Sequence, residues 1–312
     1  MTWQILLGGP TAAGKSVLAL SLAREMGAEI VSMDAFQIYR GLDIGTGKAT
    51  PEEMVTVPHH LIDIAGPMES FSVADYLKKA AEVVRDLETR KVSSIWVGGT
   101  GLYFRALRQG ITQAPGTPTA LAEHLEHIPL EQLVDEVRRV DSEWAKTADL
   151  ANPRRVQRAV AVFRMTGIPL SEWHARRAQA LLPQARAFFV EMSLSCVRGC
   201  IEKRVRGMFK DGWVEEVRKL AELPRWEFSQ SAQALGYREI LSLIRGEISE
   251  EDCRERIILQ TSQYAKRQLT WFRREASIYA LSVNNVDDLQ QVRLRLAGEL
   301  HRRVSGADGS AG

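Results

Sequence analysis

Short apolar runs alternate with helical patterns over roughly the first hundred residues of the chain. The runs are continuous, as is typical of strands that are buried on both faces of a parallel sheet. Between them, apolar residues recur at three- and four-residue spacing, which predicts amphipathic helices. The predicted strands are residues 4–7, 29–33, 60–64 and 94–97, and the predicted helices are residues 17–26 and 73–90. Strands that alternate with helices indicate βαβ units and an α/β fold.

The pattern changes after residue 112. A linker rich in proline and threonine is followed only by helical patterns, at residues 130–140, 154–165 and 170–180. Residues 187–194 then predict a return to the sheet, and from residue 196 the pattern is helical to about residue 303. The predicted organisation is a core of residues 1–112 and 185–303, a helical insertion at 113–184, and a flexible tail at 304–312.

A glycine-rich segment with a lysine and a serine directly follows the first predicted strand. It fits the pattern G-x-x-x-x-G-K-[ST] and precedes a predicted helix, which is the context that a phosphate-binding loop requires. Backbone N–H groups and the helix N-terminus of such a loop bind phosphate oxygens. The lysine adds a full charge, and the serine hydroxyl can bind Mg²⁺. The segment consists of Gly9, Pro10, Thr11, Ala12, Ala13, Gly14, Lys15 and Ser16.

This loop predicts a polyphosphate ligand without identifying it as a nucleoside triphosphate. The run at 94–97 ends in Gly98-Gly99, where an ATPase strand usually ends in a magnesium-binding aspartate, and the chain has no guanine-reading motif. Asp34 follows the second predicted strand and Thr100 the fourth, so both should lie at the crevice outside the carboxyl ends of the strands. Asp34 could bind a metal through water or accept a proton from a nucleophile. A turn-capping aspartate is the alternative.

The composition is that of a globular protein, but its charge is distributed unevenly. Hydrophobic residues make up 45% and charged residues 26% of the chain, and no apolar run is long enough to predict a membrane span. The net charge of +2 alone argues against a nucleic-acid partner. However, basic residues cluster at 154–158, 198–210 and 266–274. The last cluster also contains two aromatic residues, a mixture that suits phosphate contacts and base stacking, although a solvated helix face is the alternative.

Cysteine, histidine and the N-terminus add little evidence of function. Three cysteines are too few for a disulfide framework, and inert cytosolic thiols are expected. His59 and His60 are adjacent in an extended segment, so they would point to opposite faces and cannot easily share one metal ion. No basic stretch precedes the first apolar run, so we expect no secretory signal and a cytoplasmic location.

Eight blocks of residues, in a fixed order along nearly the whole chain, carry a family resemblance. The blocks are GPTAAGKS at 9–16, SMDAFQIY at 32–39, DIGTGK at 43–48, HHLIDI at 59–64, GGTGLY at 98–103, NPRRVQRA at 152–159, ALGYREI at 234–240 and KRQLTWFR at 266–273. Together they resemble the tRNA dimethylallyltransferase family, whereas the phosphate-binding loop alone is shared with many kinases. The chain departs from the family pattern at Ala35, where serine is common, and at Gly47, where alanine is frequent.

The resemblance implies a core like that of the P-loop NTPases and a prenyl transfer reaction. Dimethylallyl diphosphate would donate its five-carbon group to N6 of the adenosine just 3′ of a tRNA anticodon, and diphosphate would leave. The adenosine would have to flip out of its stack. The implied catalytic residues are Asp34 as proton acceptor, Lys15, Arg204 and a Mg²⁺ ion bound by Ser16 on the diphosphate, and Thr100 near the base or its sugar-phosphate.

The resemblance also implies that four segments contact tRNA and that the insertion grips the anticodon arm. The implied tRNA-binding residues are Asp34, Ala35, Phe36, Gln37, Thr100, Gln157, Arg158, Ala159, Val160, Ala161, Gln233, Gly236, Tyr237, Arg238, Lys266, Arg267, Gln268, Trp271 and Arg273. We expect a monomer, because no additional apolar face is evident. The alternatives are a small-molecule kinase that uses ATP, a non-catalytic RNA-binding protein, and a transferase that prenylates free adenine nucleotides. The insertion and the basic clusters favour tRNA over a free nucleotide.

Overall fold

A six-stranded, entirely parallel sheet forms the centre of the fold. The computed structural model describes residues 2–176, 179–285 and 287–304. The strands are β1 (Gln4–Gly8), β2 (Glu29–Ser32), β3 (His59–His60), β4 (Ser94–Val97), β5 (Arg186–Met192) and β6 (Tyr279–Val283). They are ordered β3-β2-β4-β1-β5-β6. Because all strands run in one direction, the loops after β1, β2 and β4 emerge side by side at the same edge.

The described residues also contain fourteen α-helices, and the combination confirms the predicted α/β class. They are α1 (Lys15–Met26), α2 (Pro51–Thr56), α3 (Val73–Arg90), α4 (Gly101–Gln109), α5 (Thr119–Glu126), α6 (Leu130–Val140), α7 (Ser142–Thr147), α8 (Pro153–Thr166), α9 (Leu170–Ala175), α10 (Leu194–Lys210), α11 (Trp213–Ala221), α12 (Tyr237–Ile244), α13 (Glu250–Arg274) and α14 (Leu289–Val304). None of these helices is long and apolar enough to cross a membrane.

Both faces of the sheet are buried, which explains the continuous apolar runs of its strands. Ile5 and Leu7 of β1 belong to one hydrophobic cluster, whereas Leu6 belongs to another. Ile95 and Trp96 of β4 divide in the same way. Successive side chains of a strand point to opposite faces, so a strand covered on both sides must be apolar at every position.

Local signals determine where several helices begin. At the start of α3, the Ser72 hydroxyl accepts the N–H of Asp75 and the Asp75 carboxylate accepts the N–H of Ser72. This reciprocal capping box satisfies two N–H groups that the helix cannot pair. At the start of α8, the side chain of Asn152 caps the helix and Pro153 occupies the first turn. Both starts agree with the sequence prediction.

Three predicted elements are shorter or more divided than their sequence pattern suggests. The strand predicted at 60–64 is wrong beyond His60, because Leu61 and Asp63 adopt left-handed backbone with φ of 61° and 57°. The first part of the helical pattern that starts at residue 196 comprises two helices, α10 and α11, which separate at Gly212, where φ is 99°. The helix predicted at 170–180 ends at Ala175.

The prediction of purely helical structure from residue 196 to residue 303 is also wrong. β6 pairs in parallel with β5 at the edge of the sheet. Only Val283, the last residue of β6, is buried. An exposed edge strand needs neither a continuous apolar run nor a clear alternation, so the sequence carried little signal for it.

The chain forms two compact units, one of Met1–Arg108 with Leu181–Gly312 and the other of Gln109–Ala180. The second unit therefore begins and ends four residues before the predicted insertion of 113–184. Its own core is built from α5, α6 and α8, with Leu133, Val137 and Val160 at most 1% exposed. Of the predicted tail, residue 304 ends α14, and residues 305–312 lie outside the described residues.

Candidate active site

The loop between β1 and α1 has the backbone of a phosphate-binding loop. Gly9, Ala12 and Gly14 have positive φ, at 133°, 62° and 78°. A Cβ at residue 9 would lie 2.8 Å from the carbonyl oxygen of Val190, so this position requires glycine. The loop ends where α1 begins, and the N–H groups of the first helical turn can bind an anion.

Lys15 lies at a cavity of about 340 Å³ beside this loop. Its Nζ donates a hydrogen bond to the carbonyl oxygen of Pro10 at 2.6 Å. Burial, followed by the charge of Arg204, lowers the pKa of Lys15 to about 7, while Asp34 acts in the opposite direction. The ammonium has lost much of its hydration, so an anion in the cavity would stabilise it.

Arg204 reaches the same cavity from α10. Its Nη2 donates to the carbonyl oxygen of Thr46 at 3.2 Å, and burial lowers the pKa of its guanidinium. Gly47 has φ of 60°, and the guanidinium occupies the space that a Cβ at this residue would need. Among the described residues, no carboxylate oxygen lies within 4.0 Å of a nitrogen of Lys15 or Arg204. Two desolvated cations that have no close ion pair among the described residues form a site for a multiply charged anion.

Asp34 follows β2 and is held in a defined orientation. Its Oδ1 accepts hydrogen bonds from the N–H groups of Phe36 at 2.9 Å and Gln37 at 3.3 Å. These contacts match a turn-capping aspartate, but they use one oxygen only, and Oδ2 accepts no hydrogen bond from the described residues. The negative charge of Asp34 opposes the lowering of the pKa of Lys15 and of Arg204 by burial. Asp34 is therefore an oriented acceptor close to the two cations.

Side-chain hydrogen bonds connect the three loops that form the crevice. Gln268 of α13 accepts the N–H of Thr11 with Oε1 at 2.8 Å and donates from Nε2 to the carbonyl oxygen of Gly99 at 2.9 Å. Thr100 accepts the N–H of Ala35 with Oγ1 at 3.3 Å. The loops after β1, β2 and β4 are thereby fixed to one another, as their order in the sheet predicts.

The structure gives Gln268 an internal role that the sequence did not predict, and it adds Tyr264 to the site. Gln268 is 6% exposed and both ends of its amide are engaged within the protein, while its predicted tRNA contact stays a prediction. Tyr264 lies one turn earlier on α13, next to Thr100 and Gln268, and burial followed by the charge of Asp34 raises its pKa. The spacing of four residues between Tyr264 and Gln268 placed them on one helix face. This spacing was the sign of a shared role that the sequence offered, and the neighbouring basic residues obscured it.

The other residues predicted for tRNA contact on α13 divide into exposed and engaged side chains. Lys266 and Arg267 are exposed. The Nε of Arg273 lies 2.6 Å from a carboxylate oxygen of Glu191, so this cation is already paired. Trp271 is half-buried, with its ring 6.0 Å from that of Phe104 and in edge contact. The basic cluster at 266–274 thus contains both exposed side chains and side chains that are engaged within the protein.

The segment at the start of α12 divides in the same way. Gln233 and Arg238 are exposed, whereas Gly236 and Tyr237 are buried. Gly236 has φ of 89°, and Trp213 fills the space next to it. Both residues are thus packed inside the protein, and the predicted tRNA contacts of Gly236 and Tyr237 stay predictions.

In the unit formed by Gln109–Ala180, the predicted tRNA residues lie on α8. Ala159, Val160 and Ala161 are at most 3% exposed and their side chains belong to the core of this unit, and their predicted tRNA contact stays a prediction. Arg158 donates to the carbonyl oxygens of residues 114 and 115 and to a threonine hydroxyl at 117, so it fixes the preceding linker. Gln157 remains partly exposed, and its predicted tRNA contact stays a prediction.

Known proteins resemble this chain over nearly all of its length. A tRNA dimethylallyltransferase 1 of Citrifermentans bemidjiense is 38% identical over 278 residues, which is 89% of this chain and 91% of that protein. The tRNA dimethylallyltransferase of Geobacter metallireducens is 41% identical over 281 residues, covering 88% and 90% of the two chains. The crystal structure of a tRNA isopentenylpyrophosphate transferase from Bacillus halodurans has a TM-score of 0.70 and 31% identity, covering 99% of this chain and 100% of that chain.

A more distant structure has the same fold. A eukaryotic dimethylallyltransferase that acts on tRNA has a TM-score of 0.82 at 23% identity, covering 98% of this chain and 80% of that one. These structures and the parallel sheet confirm the predicted P-loop core. A family model described as IPP transferase matches residues 37–275, which is well over half of the chain. On this match and on its relatives, the chain belongs to the IPP transferase family.

Proposed function

We propose that this protein transfers the dimethylallyl group of dimethylallyl diphosphate to N6 of the adenosine 3′-adjacent to the anticodon in tRNA. The observation that carries the proposal is the pair of desolvated cations, Lys15 and Arg204, at one cavity beside the oriented carboxylate of Asp34. The names of the relatives support tRNA as the acceptor.

The cations suit a diphosphate leaving group. As the bond between C1 of the prenyl group and the diphosphate oxygen breaks, its electron pair goes to that oxygen and negative charge grows there. Lys15, Arg204 and the N–H groups at the start of α1 are already in place around the cavity. Because they are desolvated before the reaction, they stabilise this charge more strongly than groups in water would.

Asp34 suits the acceptor side of the reaction. Adenine N6 is a weak nucleophile, so its positioning contributes much of the rate. The two N–H groups that hold Oδ1 orient the carboxylate, and Oδ2 can accept a hydrogen bond from N6. N6 forms a bond to C1 and gives up one proton, which Asp34 accepts. Thr100, next to Ala35 at the same edge, is placed to contact the base or its sugar-phosphate.

The donor chemistry of Ser16 fits Mg²⁺. Ser16 is exposed in the first turn of α1 and lines the cavity together with Lys15. No cluster of three or more His, Cys, Asp or Glu side chains among the described residues could hold a metal ion. The other ligands would therefore be diphosphate oxygens and water, a common arrangement for Mg²⁺. When bound, the ion would neutralise charge on the diphosphate.

We assign tRNA contact to exposed groups in both units. In the first unit these are Lys266, Arg267, Gln233 and Arg238, which can reach phosphates or base edges. In the unit of Gln109–Ala180, exposed cations at the start of α8 suit the anticodon arm. Flipping of the target adenosine would bring N6 to Asp34.

Transfer of labelled dimethylallyl groups tests the proposal directly. The protein, Mg²⁺ and prenyl-labelled dimethylallyl diphosphate are incubated with unmodified tRNA or with AMP, and ATP turnover is measured separately. We expect label on tRNA, none on AMP, and no ATP-dependent phosphorylation. Phosphorylation without prenyl transfer would instead identify the small-molecule kinase, which no comparison favours. The proposed action on tRNA accords with a cytoplasmic location and, by our expectation, a monomer.

A further inference from the structure

The carboxylate of Glu216 lies in a ring of backbone N–H groups from a distant loop. Glu216 is on α11, and its Oε2 accepts the N–H groups of Asp43 at 2.8 Å and Ile44 at 2.6 Å. Its Oε1 accepts the N–H of Gly45 at 3.2 Å. Three consecutive N–H groups that converge on one acceptor form the kind of concavity that binds anions. Here a side chain of the protein itself fills it.

A buried tyrosine provides a fourth donor to the same carboxylate. The hydroxyl of Tyr237, on α12, donates to Oε1 of Glu216 at 2.7 Å. Burial and the charge of Glu216 raise the pKa of Tyr237, so the phenol remains a neutral donor. The carboxylate of Glu216 therefore accepts four hydrogen bonds, three from backbone N–H groups and one from the phenol. Tyr237 is 0% exposed, so its hydroxyl is held at this contact inside the protein.

The loop of residues 43–47, held in this way, carries contacts of the cavity. The carbonyl oxygen of Thr46 accepts from Nη2 of Arg204 at 3.2 Å and from Nε2 of Gln37 at 3.3 Å. The carbonyl oxygen of Gly47 accepts from the same Gln37 nitrogen at 3.1 Å. The N–H of Gln37 in turn donates to Asp34. A displacement of this loop would therefore move Arg204 on one side and the turn that orients Asp34 on the other.

Glu216 supports the middle of the 43–47 loop, where a side chain of the loop itself cannot. Gly45 packs directly against the indole of Trp213, so there is no room for a side chain that could anchor the loop itself. Beyond the loop, the ammonium of Lys48 contacts the carboxylates of Asp43 and Asp63 at 2.6 and 2.5 Å. Those ion pairs fix the ends, whereas the N–H groups of residues 43–45 are satisfied by Glu216.

We propose that Glu216 is a positioning residue for the diphosphate of the donor. It holds the 43–47 loop so that the carbonyl oxygen of Thr46 directs the guanidinium of Arg204 towards the cavity. Glu216 acts through this loop and not by contact with a reacting atom. The inference rests on the proposed function, because it takes the anion at Lys15 and Arg204 to be the donor's diphosphate.

The test replaces Glu216 without changing its size. In Glu216→Gln, the amide NH₂ would face backbone N–H groups, and at least one of them would lose its acceptor. At saturating tRNA, we expect the KM for dimethylallyl diphosphate and the inhibition constant of inorganic diphosphate to rise together by about tenfold or more. The Kd for tRNA should stay within about twofold, because the exposed tRNA-facing groups are unchanged.

A neighbour on the same helix provides the matched control. Glu215→Gln alters an exposed carboxylate that pairs with Arg218 one turn away, and it should leave both constants unchanged. If Glu216→Gln lowers the Tm but leaves both constants at wild-type values, the residue is merely structural and the inference is overturned. Tyr237→Phe removes a single donor and provides a second variant if Glu216→Gln does not fold. Both constants should then rise about threefold, and unchanged values would again overturn the inference.

Lys15→Met separates this inference from the proposed function on which it rests. If inorganic diphosphate inhibits Lys15→Met as strongly as the wild type, the diphosphate does not bind at this loop and the proposed site is wrong. If Lys15→Met weakens inhibition but Glu216→Gln does not, the proposed site stands and only the role of Glu216 is rejected.

Discussion

At the residue scale, the site depends on charges that the fold keeps from ordinary solvation. Lys15 and Arg204 face one cavity, and no carboxylate among the described residues neutralises either of them at close range. Desolvated cations without a close ion pair cost stability, so their retention at a phosphate-binding loop is explained by an anionic ligand. Asp34 is close enough to influence both cations, yet its turn directs it for a separate role in proton transfer.

The first prediction concerns Asp34. Asp34→Asn keeps an oxygen for the N–H groups of Phe36 and Gln37 but removes the base, so turnover should fall by about 100-fold or more. The measurement is single-turnover label transfer to tRNA together with the Kd for tRNA, which should change by less than about twofold. Asp211→Asn, an exposed carboxylate at the end of α10, is the control and should retain wild-type turnover. Wild-type turnover in Asp34→Asn would remove this residue from the mechanism.

Part of this site could be predicted from the sequence, and the rest could not. Lys15 and Ser16 follow from a local motif, and the position of Asp34 follows from the order of strands and loops. Arg204 came only from the family resemblance. Glu216 left no local signal, because its partners are backbone N–H groups more than 170 residues earlier in the chain. Side chains that bind backbone from a distant loop become visible only in the folded structure.

At the element scale, the order of the strands determines which loops can share a ligand. β1 lies between β4 and β5, and β4 lies between β1 and β2, so the loops that carry Lys15, Asp34 and Thr100 are neighbours. Continuous apolar runs predicted these strands because each is buried on both faces. The same reasoning could not predict β6, which is mostly exposed. It also missed the end of β3, which is followed by the left-handed backbone of Leu61. Elements covered on both sides were predictable, and edge elements were not.

The second prediction concerns the contact between β2, β3 and α3. The carboxylate of Glu29 accepts from Nη1 and Nη2 of Arg90 at 2.6 and 2.8 Å, and it also lies 2.7 Å from Nε2 of His60. The hydrogen bonds from Arg90 make the largest contribution to lowering the pKa of Glu29 from 4.5 to about 2, against the effect of burial. A carboxyl with a lowered folded-state pKa stabilises the fold above its unfolded-state pKa. This stability is lost as the pH falls from about 4.5 towards 2.

We expect this loss to be on the order of 2 kcal/mol, since solvent screens part of the contact with the half-exposed Arg90. The free energy of unfolding, measured in urea from pH 6 to pH 3, should fall less steeply in Glu29→Gln than in the wild type. Glu88→Gln, which alters another exposed carboxylate on α3, should keep the wild-type slope. Equal slopes in Glu29→Gln and the wild type would show that this contact does not govern acid stability.

At the scale of the whole molecule, a nearly neutral chain combines regions of different charge. Residues 1–110 contain 11 Lys and Arg against 12 Asp and Glu, whereas residues 186–312 contain 21 against 18. The structure divides the cations further, because Arg273 pairs with Glu191 while Lys266 and Arg267 remain exposed. Net charge therefore says little about an RNA partner, and the number of exposed, unneutralised cations at the site says more.

The third prediction follows from those exposed cations. In Lys266→Ala/Arg267→Ala, the loss of two phosphate contacts should weaken tRNA binding for all sequences. It should also reduce the slope of log K against log salt by about 1 to 2. The measurement is the Kd for tRNA over a series of salt concentrations. Lys78→Ala, which removes an exposed cation from α3, should leave the slope unchanged. An unchanged slope in the double variant would make α13 a solvated face and not a tRNA contact.

The most direct test of the central claim is the affinity of inorganic diphosphate for the tRNA-saturated protein, measured by calorimetry in Arg204→Met and the wild type. Lys15 and Arg204 together bind the diphosphate in this account, so the variant should bind at least about tenfold more weakly, a loss of about 1.4 kcal/mol. Arg206→Met, which removes an exposed cation two residues away on α10, should bind as the wild type does. Wild-type affinity in Arg204→Met would contradict the assignment of this cavity to the diphosphate of the donor.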